Sequence, residues 1–495
     1  MNFTWNIPVK TLKLQNNNIN RSDHMMKWNS AIALSTALRD GTFSAVDVMN
    51  ETYDRIERHN PQLNAIVNLL PRDEALKLAH AADQIETNNR GDLHGIPMAV
   101  KDLNDVAGFP TTAGYIPYKD QIIEKDGPMA ARLRQAGALF IGKTNTPELG
   151  LGSQTYNNVF GTTLNPYDQT RTPGGSSGGA AVAIATEMLA IADGSDMGGS
   201  LRNPASFCNI VGMRPSIGRV PSGGNSTWFG RMSTAGPMAR TVKDATFLLA
   251  VQAGPHLSDP LTLPEPGAIF KDLLSQIENE PSSTYRIAYS PNLHGLPIAS
   301  EVGEVIAQAP IVFEDFGWEV TETSPDLSKA MEVFQIQRAA GLANLGRTLD
   351  SKYTDWRAHT KDTALWNIDE GMKLSSQEIL ESEQLRAEIY ANIAAFFETY
   401  DALILPAAQV APFDIETPWI EEIEGVKFPT YLDWMTVCCA ISITSLPTIS
   451  VPGGFTASGL PVGLQIVGKP KGDIELLKIA YAFEQATMHH LRKPS

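Results

Sequence analysis

Two glycine-rich loops, each with a serine, lie at the two ends of one short apolar segment. The first loop spans residues 173–179 and contains Ser176, and the second spans residues 194–200 and ends at Ser200. The apolar residues 180–192 between them have the length of one helix followed by one strand. Glycine lets backbone N–H groups turn toward a reacting atom, and serine becomes a nucleophile once a base removes its proton. The pattern therefore predicts one reaction site built from two backbone turns.

The base for these serines is not an obvious histidine, because none of the 9 histidines lies between Ser176 and Ser200. Lys101 is a better candidate, since it ends a short apolar run that predicts a buried strand. To act near neutral pH, its pKa must fall by roughly 3 units from ~10.4, a bias of about 4 kcal/mol that burial can supply. The local sequence alone favours a plainer alternative, in which Lys101 pairs with Asp102 or reaches solvent.

Longer motifs around these residues closely resemble the core of the amidase signature family. The central motif covers residues 174–179, 194–202 and 204–208. Further motifs of that family occur in the expected order at residues 95–102, 111–114, 142–145, 446–452 and 459–465. The resemblance extends from about residue 28 to about residue 490.

The resemblance implies a Ser–Ser–Lys triad. Ser200 is expected to be the nucleophile, Ser176 to bridge Ser200 and Lys101 with a cis peptide bond before it, and neutral Lys101 to accept the proton. The expected oxyanion-hole donors are the backbone N–H groups of Met197, Gly198, Gly199 and Ser200. The expected supporting residues are Ser177, Asp196 and Arg202.

Helix-like and strand-like segments alternate along the chain, which is typical of an α/β fold. Together with the resemblance, this predicts a large central mixed β-sheet covered by helices on both faces, the amidase signature fold. The predicted strands include residues 138–141, 188–192, 286–289, 318–321, 402–405, 448–451 and 462–467. The predicted helices include residues 31–39, 72–86, 129–135, 178–187, 375–400 and 474–486, and one that begins after Ser44.

The chain is expected to form an N-terminal arm, residues 1–27, and a single domain, residues 28–495. Residues 254–440 lack the family motifs, and such segments usually determine substrate choice. Their aromatic residues suggest an apolar pocket, although core packing is favoured for each; they are Phe334, Trp356, Trp366, Trp419 and Trp434.

Composition and charge disfavour several classes of partner and cofactor. The net charge of −16 disfavours nucleic acids and anionic membranes as partners. The three cysteines, Cys208, Cys438 and Cys439, are predicted to be buried thiols, and no metal or other cofactor is expected. Without a secretory signal or a membrane-length apolar run, the expected location is the cytoplasm. The sequence does not determine the oligomeric state, and a homodimer is compatible with it.

Three rival hypotheses are weaker. Residues 137–144 satisfy the pattern of a phosphate-binding loop, but their apolar residues predict a strand. Residues 174–178 satisfy the nucleophile-elbow pattern with Ser176, but no strand is predicted immediately before them. A binding protein without catalysis is disfavoured, because all three reacting side chains are present.

The predicted activity is hydrolysis of a carboxylic acid amide through a seryl acyl-enzyme. The expected small-molecule substrate is a hydrophobic aryl or alkyl amide, with esters and carbamates as lesser substrates. The alternative is the glutaminase subunit of a tRNA-dependent amidotransferase. The resemblance places an acidic residue of those subunits at Met435, and the nearest acid here is Asp433. This disfavours the alternative.

Overall fold

The computed structural model describes residues 30–223, 231–278 and 284–494, so the predicted arm lies outside the described residues. The helices are α1 (Ala31–Asp40), α2 (Ala45–Leu63), α3 (Arg72–Asp83), α4 (Pro128–Gln135), α5 (Gly178–Ala185), α6 (Arg202–Phe207), α7 (Val242–Gln252), α8 (Ala268–Leu274), α9 (Ser300–Ile306), α10 (Ala309–Asp315), α11 (Ala330–Lys352), α12 (Asp362–Lys373), α13 (Ser376–Thr399), α14 (Thr436–Ser442) and α15 (Asp473–Thr487). The strands are β1 (Ile66–Val67), β2 (Pro97–Lys101), β3 (Leu139–Thr144), β4 (Tyr156–Asn157), β5 (Gly161–Thr162), β6 (Ile191–Asp196), β7 (Val211–Arg214), β8 (Thr234–Ala239), β9 (Arg286–Tyr289), β10 (Glu319–Glu322), β11 (Ala402–Pro406), β12 (Glu422–Ile423), β13 (Val426–Lys427), β14 (Thr448–Phe455) and β15 (Pro461–Gly468).

An eight-stranded mixed sheet forms the centre of the fold, in the order β10-β9-β11-β15-β14-β7-β8-β6. Strands β10, β9 and β11 run parallel to one another. From β11 onward each neighbouring pair is antiparallel, ending at β6. The mixed sheet predicted from the sequence is therefore confirmed.

Both faces of this sheet are covered. Along β11, Ala402 and Ile404 belong to one hydrophobic core, whereas Leu403 and Leu405 belong to a second. Successive side chains of a strand point to opposite faces, so the two cores lie on opposite sides of the sheet. Residues of α2, α5, α7 and α15 contribute to the first core, and residues of α11, α13 and α14 contribute to the second. Helices thus cover both faces, as predicted.

The strand that carries Lys101 belongs to a separate three-stranded sheet, in the order β1-β3-β2. Strand β2 lies beside the end strand β6, and the Lys101 backbone N–H donates to the Asp193 carboxylate at 3.0 Å. Helix α5 packs closely here: a methyl group on Gly179 would lie 2.4 Å from the Asn145 backbone nitrogen. Glycine at this position allows α5 to approach the end of β3, which brings the first serine loop next to Lys101.

Most predicted elements are present, but the strand predicted at residues 188–192 begins and ends later, at Ile191–Asp196. The second glycine-rich loop was therefore predicted too long. Residues 194–196 pair with β8, with Asp196 opposite Thr234, and the loop begins only at Met197. Ser44 caps α2 as expected by accepting from the Asp47 backbone N–H.

Candidate active site

Lys101 is fully buried at the end of β2, among hydroxyl groups. Its Nζ lies 2.8 Å from Ser176 Oγ and 2.8 Å from Ser177 Oγ. It also lies 3.1 Å from Ser195 Oγ and donates to the Ser195 carbonyl at 3.2 Å. No carboxylate of the described ranges lies within 4.0 Å of this amine, so the predicted alternative of a pair with Asp102 is wrong.

Burial determines the charge of this amine. Removal from water lowers the pKa of Lys101 to about 7, while the negative charges of Asp193 and Asp196 act in the opposite direction. Neutral hydroxyls and a carbonyl do not stabilise an ammonium ion as a carboxylate does. Lys101 therefore has a large uncharged fraction at neutral pH, which a proton acceptor requires.

The first serine loop is held against this amine by its own backbone. The peptide bond between Gly175 and Ser176 is cis, as the resemblance implied. Gly174 has a left-handed backbone (φ 76°), and its carbonyl accepts from Thr155 Oγ1 at 2.9 Å. The loop then enters α5 at Gly178 without a preceding strand, so the nucleophile-elbow hypothesis for Ser176 lacks its structural context.

Strand β6 supplies two residues that the sequence analysis did not place in the site. Asp193 and Ser195 are two positions apart, so their side chains lie on the same face. Asp193 accepts from the Lys101 backbone N–H at 3.0 Å and from Asn104 Nδ2 at 2.7 Å, and Ser195 contacts Lys101 Nζ. The alternation of β6 is the pattern that could have identified them.

Asp196 organises the backbone that leads to Ser200. Its carboxylate accepts from the backbone N–H groups of Gly199 at 2.9 Å and Leu201 at 3.1 Å. Arg202 binds the same carboxylate at 3.0 Å and 2.9 Å, and Arg214 approaches it at 3.4 Å. Burial disfavours the ionised carboxylate, but the two arginines outweigh this effect and hold the pKa of Asp196 below its usual value.

The loop after β6 leaves several polar groups unpaired near the serines. The Gly199 N–H is occupied by Asp196, whereas the N–H groups of Met197, Gly198 and Ser200 make no hydrogen bond with the described residues. The Ser200 hydroxyl makes none within the described ranges either, although the Ser200 carbonyl accepts from the Ser177 N–H at 3.2 Å. Of the predicted relay, the contact between Lys101 and Ser176 is formed, and the hydrogen bond between Ser176 and Ser200 is not.

A cavity of about 880 Å³ opens onto both serines. Ser176, Ser195, Met197, Gly198 and Ser200 form one part of its wall. Other walls come from α11 and from five segments outside residues 254–440, namely residues 103–105, 127–129, 149–153, 221–223 and 231–235. The variable region thus provides only part of the cavity.

Comparison with known proteins gives matches over nearly the whole chain. The family model described as Amidase matches residues 47–477. An acylamidase of Rhodococcus erythropolis is 31% identical over 481 residues, covering 96% of this chain and 98% of the relative. The A subunit of the glutamyl-tRNA(Gln) amidotransferase of Carboxydothermus hydrogenoformans is 34% identical over 490 residues, covering 94% and 98%. The crystal structure of a bacterial aryl acylamidase superposes with a TM-score of 0.86 at 27% identity, covering 94% of this chain and 98% of that one.

The chain belongs to the amidase signature family. In this amidase the segment that matched a phosphate-binding loop is strand β3, and the buried Lys143 donates to the Asn104 carbonyl at 2.6 Å and to Thr111 Oγ1 at 3.1 Å. The phosphate-loop pattern is therefore coincidental. None of the helices in the described part of the amidase is long and apolar enough to span a bilayer.

The remaining predicted residues of the amidase are also accounted for. The three cysteines are buried and unpaired, as predicted. Phe334 lines the cavity, whereas the four tryptophans do not: Trp356 and Trp434 are buried in hydrophobic clusters, and Trp419 packs against one. Core packing is confirmed for these three, and Trp366 is 37% exposed.

Proposed function

We propose that this protein hydrolyses carboxylic acid amides through an acyl-enzyme formed on Ser200, with Ser176 and Lys101 as the proton relay. The observation that carries the proposal is the buried Lys101 amine, 2.8 Å from Ser176 Oγ and without a carboxylate partner among the described residues. An amine that is uncharged and hydrogen-bonded to a hydroxyl is suited to remove a proton from serine.

Acylation transfers one proton in two hops. As Ser200 Oγ attacks the amide carbon, its proton passes to Ser176 Oγ, and the Ser176 proton passes to Lys101 Nζ. When the tetrahedral intermediate collapses, the Lys101 ammonium returns a proton through Ser176 to the leaving nitrogen. The C–N bond then breaks and releases a neutral amine. Water repeats the sequence on the ester and releases the carboxylic acid.

The unpaired N–H groups after β6 support the role of this loop as an oxyanion hole. Met197, Gly198 and Ser200 have free backbone donors among the described contacts, and the cavity reaches all three residues. Gly199 plays a different part in this arrangement, because its N–H orients the loop through Asp196. The proposal therefore assigns three donors rather than four to the developing negative charge.

The missing hydrogen bond of Ser200 fits a nucleophile that is positioned by substrate. Catalytic hydrogen bonds are often loose before substrate binds and tighten in the complex. The backbone beside Ser200 is already fixed to the first serine loop, since the Ser177 N–H donates to the Ser200 carbonyl at 3.2 Å.

The cavity supports an amide with an apolar group as the substrate. Phe334, Leu342, Leu345 and Met435 contribute apolar surface to it. The aryl acylamidase and the acylamidase among the relatives agree with an aryl or alkyl amide. Esters and carbamates present the same carbonyl geometry and are expected as lesser substrates.

The glutaminase alternative remains less well supported, despite the similarity to amidotransferase A subunits. Met435, at the position expected for an acid, lines the cavity, and its sulfur accepts from Ser153 Oγ at 2.7 Å. Asp433 does not line the cavity, and its carboxylate accepts from the Thr430 hydroxyl at 2.6 Å. At the position where the subunits carry an acid, the cavity wall therefore presents Met435 rather than a carboxylate for the amino group of glutamine. The net charge of −16 and the free cysteines also support action in the cytoplasm without a nucleic-acid partner.

Labelling with a fluorophosphonate, followed by mass spectrometry, tests the assignment. The wild-type protein is expected to gain one adduct on Ser200, and Ser200→Ala none. Ser153→Ala is the matched control, because Ser153 lines the same cavity but hydrogen-bonds to Met435 and Asn203 rather than to Lys101. An adduct that persists in Ser200→Ala and disappears in Ser176→Ala would overturn the assignment. If glutamine is hydrolysed faster than aryl amides, the substrate class is the one of the glutaminase alternative rather than an aryl or alkyl amide.

A further inference from the structure

A buried arginine lines the cavity without a counter-ion. Arg338 on α11 is 5% exposed and lies in the cavity wall. Its guanidinium donates to Asn367 Oδ1 and, at 2.7 Å, to the Tyr431 hydroxyl, and it lies 5.5 Å from the centre of the Tyr431 ring. These partners are all uncharged. Among the described residues no carboxylate lies within 4.0 Å of Arg338.

The other charged residues of the cavity wall differ from Arg338. Arg231 also lines the cavity, but both oxygens of Asp259 lie 2.9 Å from its Nη1. Asp105 is exposed to solvent. A buried charge is costly unless an opposite charge accompanies it. Arg338 is therefore the charged group of this wall that a bound anion would stabilise most.

Helix α11 sets the distance between Arg338 and the reacting serine. Phe334 lies beside the loop of residues 197–200 that leads from β6 to Ser200, since a methyl group on Gly198 would be 2.8 Å from Phe334 Cζ. Arg338 is four positions farther along the same helix, and residues four apart share one face at about 6 Å between their Cβ atoms. Phe334 and Arg338 thus face the cavity one helical turn apart.

We propose that Arg338 binds a carboxylate of the substrate, about one helical turn from the scissile amide. This inference rests on the proposed function and narrows its substrate class to amides with a negatively charged distal group. Arginine suits this role, because its planar guanidinium can donate two parallel hydrogen bonds to a carboxylate. Apolar neighbours such as Leu342 and Leu345 would exclude water from this pair.

A series of p-nitroanilides tests the inference. Succinyl, glutaryl and adipyl anilides end in a carboxylate, and butyryl, valeryl and hexanoyl anilides are their neutral counterparts of equal chain length. Hydrogen bonds to charged groups typically contribute 1.5–3 kcal/mol, so the best carboxylated anilide should exceed its neutral counterpart in kcat/KM by roughly 10- to 100-fold. Arg338→Met should reduce that ratio to about one, chiefly by raising KM for the carboxylated anilide.

Two further variants separate substrate binding from a structural role. Arg338→Lys keeps the charge but not the paired donors, and it should retain an intermediate preference. Arg386→Gln is the control, because Arg386 is a partly buried arginine that donates to the Ile443 carbonyl at 2.8 Å and does not line the cavity. It should keep the wild-type ratio. A merely structural Arg338 would lower both rates together and leave the ratio unchanged.

The outcomes distinguish this inference from the proposed function. Hydrolysis of the neutral anilides without preference for any carboxylated one overturns the inference and leaves the amidase assignment intact. Retention of the preference in Arg338→Met also overturns it. If Arg338→Met does not fold, the ratio in Arg338→Lys decides, and a wild-type ratio there counts against the inference. Failure to hydrolyse any amide, with no adduct on Ser200, overturns the proposed function and the inference with it.

Discussion

Lys101 and Arg202 are both fully buried basic residues beside strand β6, yet their surroundings are opposite. Lys101 contacts three serine hydroxyls and a carbonyl, whereas Arg202 forms a two-point contact with the Asp196 carboxylate. Burial lowers the pKa of Lys101 to about 7. Burial acts in the same direction on Arg202, but Asp196 outweighs it, and the pKa of Arg202 lies above its ordinary value.

The partner of a buried basic group, rather than burial alone, therefore decides whether the group is charged at neutral pH. Successive residues of β6 point to opposite faces, so Ser195 contacts Lys101 while the adjacent Asp196 binds Arg202. One strand thereby supports an amine suited to proton transfer and a permanent ion pair that orders the loop before Ser200.

The largest effect is expected from removing the amine that is proposed to accept the proton. Lys101→Met keeps the volume of the side chain but cannot accept a proton, so kcat should fall roughly 10²- to 10⁴-fold. Steady-state kinetics with an aryl amide measure the loss, and a thermal melt verifies folding. A soluble, folded variant with more than a tenth of wild-type activity would exclude Lys101 as the base.

The ion pair of Arg202 is tested by replacing the Asp196 carboxylate with a neutral amide. Asp196→Asn leaves Arg202 and Arg214 buried without a counter-charge, which should lower the free energy of unfolding by about 3–5 kcal/mol. Urea denaturation measures this change. Glu370→Gln is the control, because Glu370 forms a solvent-accessible ion pair with Lys373 at 2.6 Å. Near-wild-type stability of Asp196→Asn would mean that the ion pair does not order the loop as described.

The contrast also predicts a dependence of activity on pH. Because the base must be uncharged and the pKa of Lys101 is lowered to about 7, kcat/KM should rise roughly tenfold from pH 6 to pH 8 and then level off. Arg202 remains charged throughout this range and contributes no inflection. A rate that is constant from pH 6 to 8, or that first rises near pH 10, would contradict the prediction.

A separate prediction concerns a third buried group, which takes no part in the contrast between Lys101 and Arg202. Burial raises the pKa of Glu484 to about 8, with Asp244 adding to the shift. The folded chain therefore keeps a proton that the unfolded chain releases near pH 4, and stability declines as pH rises from about 4 toward 8. Glu484→Gln should remove a decline of about 3–4 kcal/mol between pH 5 and 8.

Urea denaturation of both proteins at the two pH values measures this difference. The variant can still accept from the Val242 N–H, which Glu484 now does at 2.8 Å. Equal pH dependence in the two proteins would show that Glu484 is ionised in the folded state.

The candidate residues Lys101, Ser176 and Ser200 could be named from the sequence because long motifs surround them, and the apolar run before Lys101 indicated its burial. Asp193 and Ser195 were missed because the predicted strand ended at residue 192 and residues 194–196 resemble a loop by composition. They become a strand only by pairing with β8, whose Gly236 and Pro237 weaken its own strand pattern.

The cavity wall was less predictable for a different reason. Arg338 lies in no family motif, and its place beside the reaction site depends on how α11 packs against the loop at Gly198. The sequence reveals the amphipathic character of a helix more readily than the neighbour that it packs against. The partners of Arg338, Asn367 and Tyr431, lie 29 and 93 positions away in the chain.

The charge of Lys101 is the central claim, and its titration tests it most directly. Protein labelled with ¹³C at lysine Cε gives one NMR signal per lysine, and the signal absent from Lys101→Met identifies Lys101. A midpoint near pH 7 is the predicted result. A midpoint at or above pH 10, as for a lysine in water, would contradict the account.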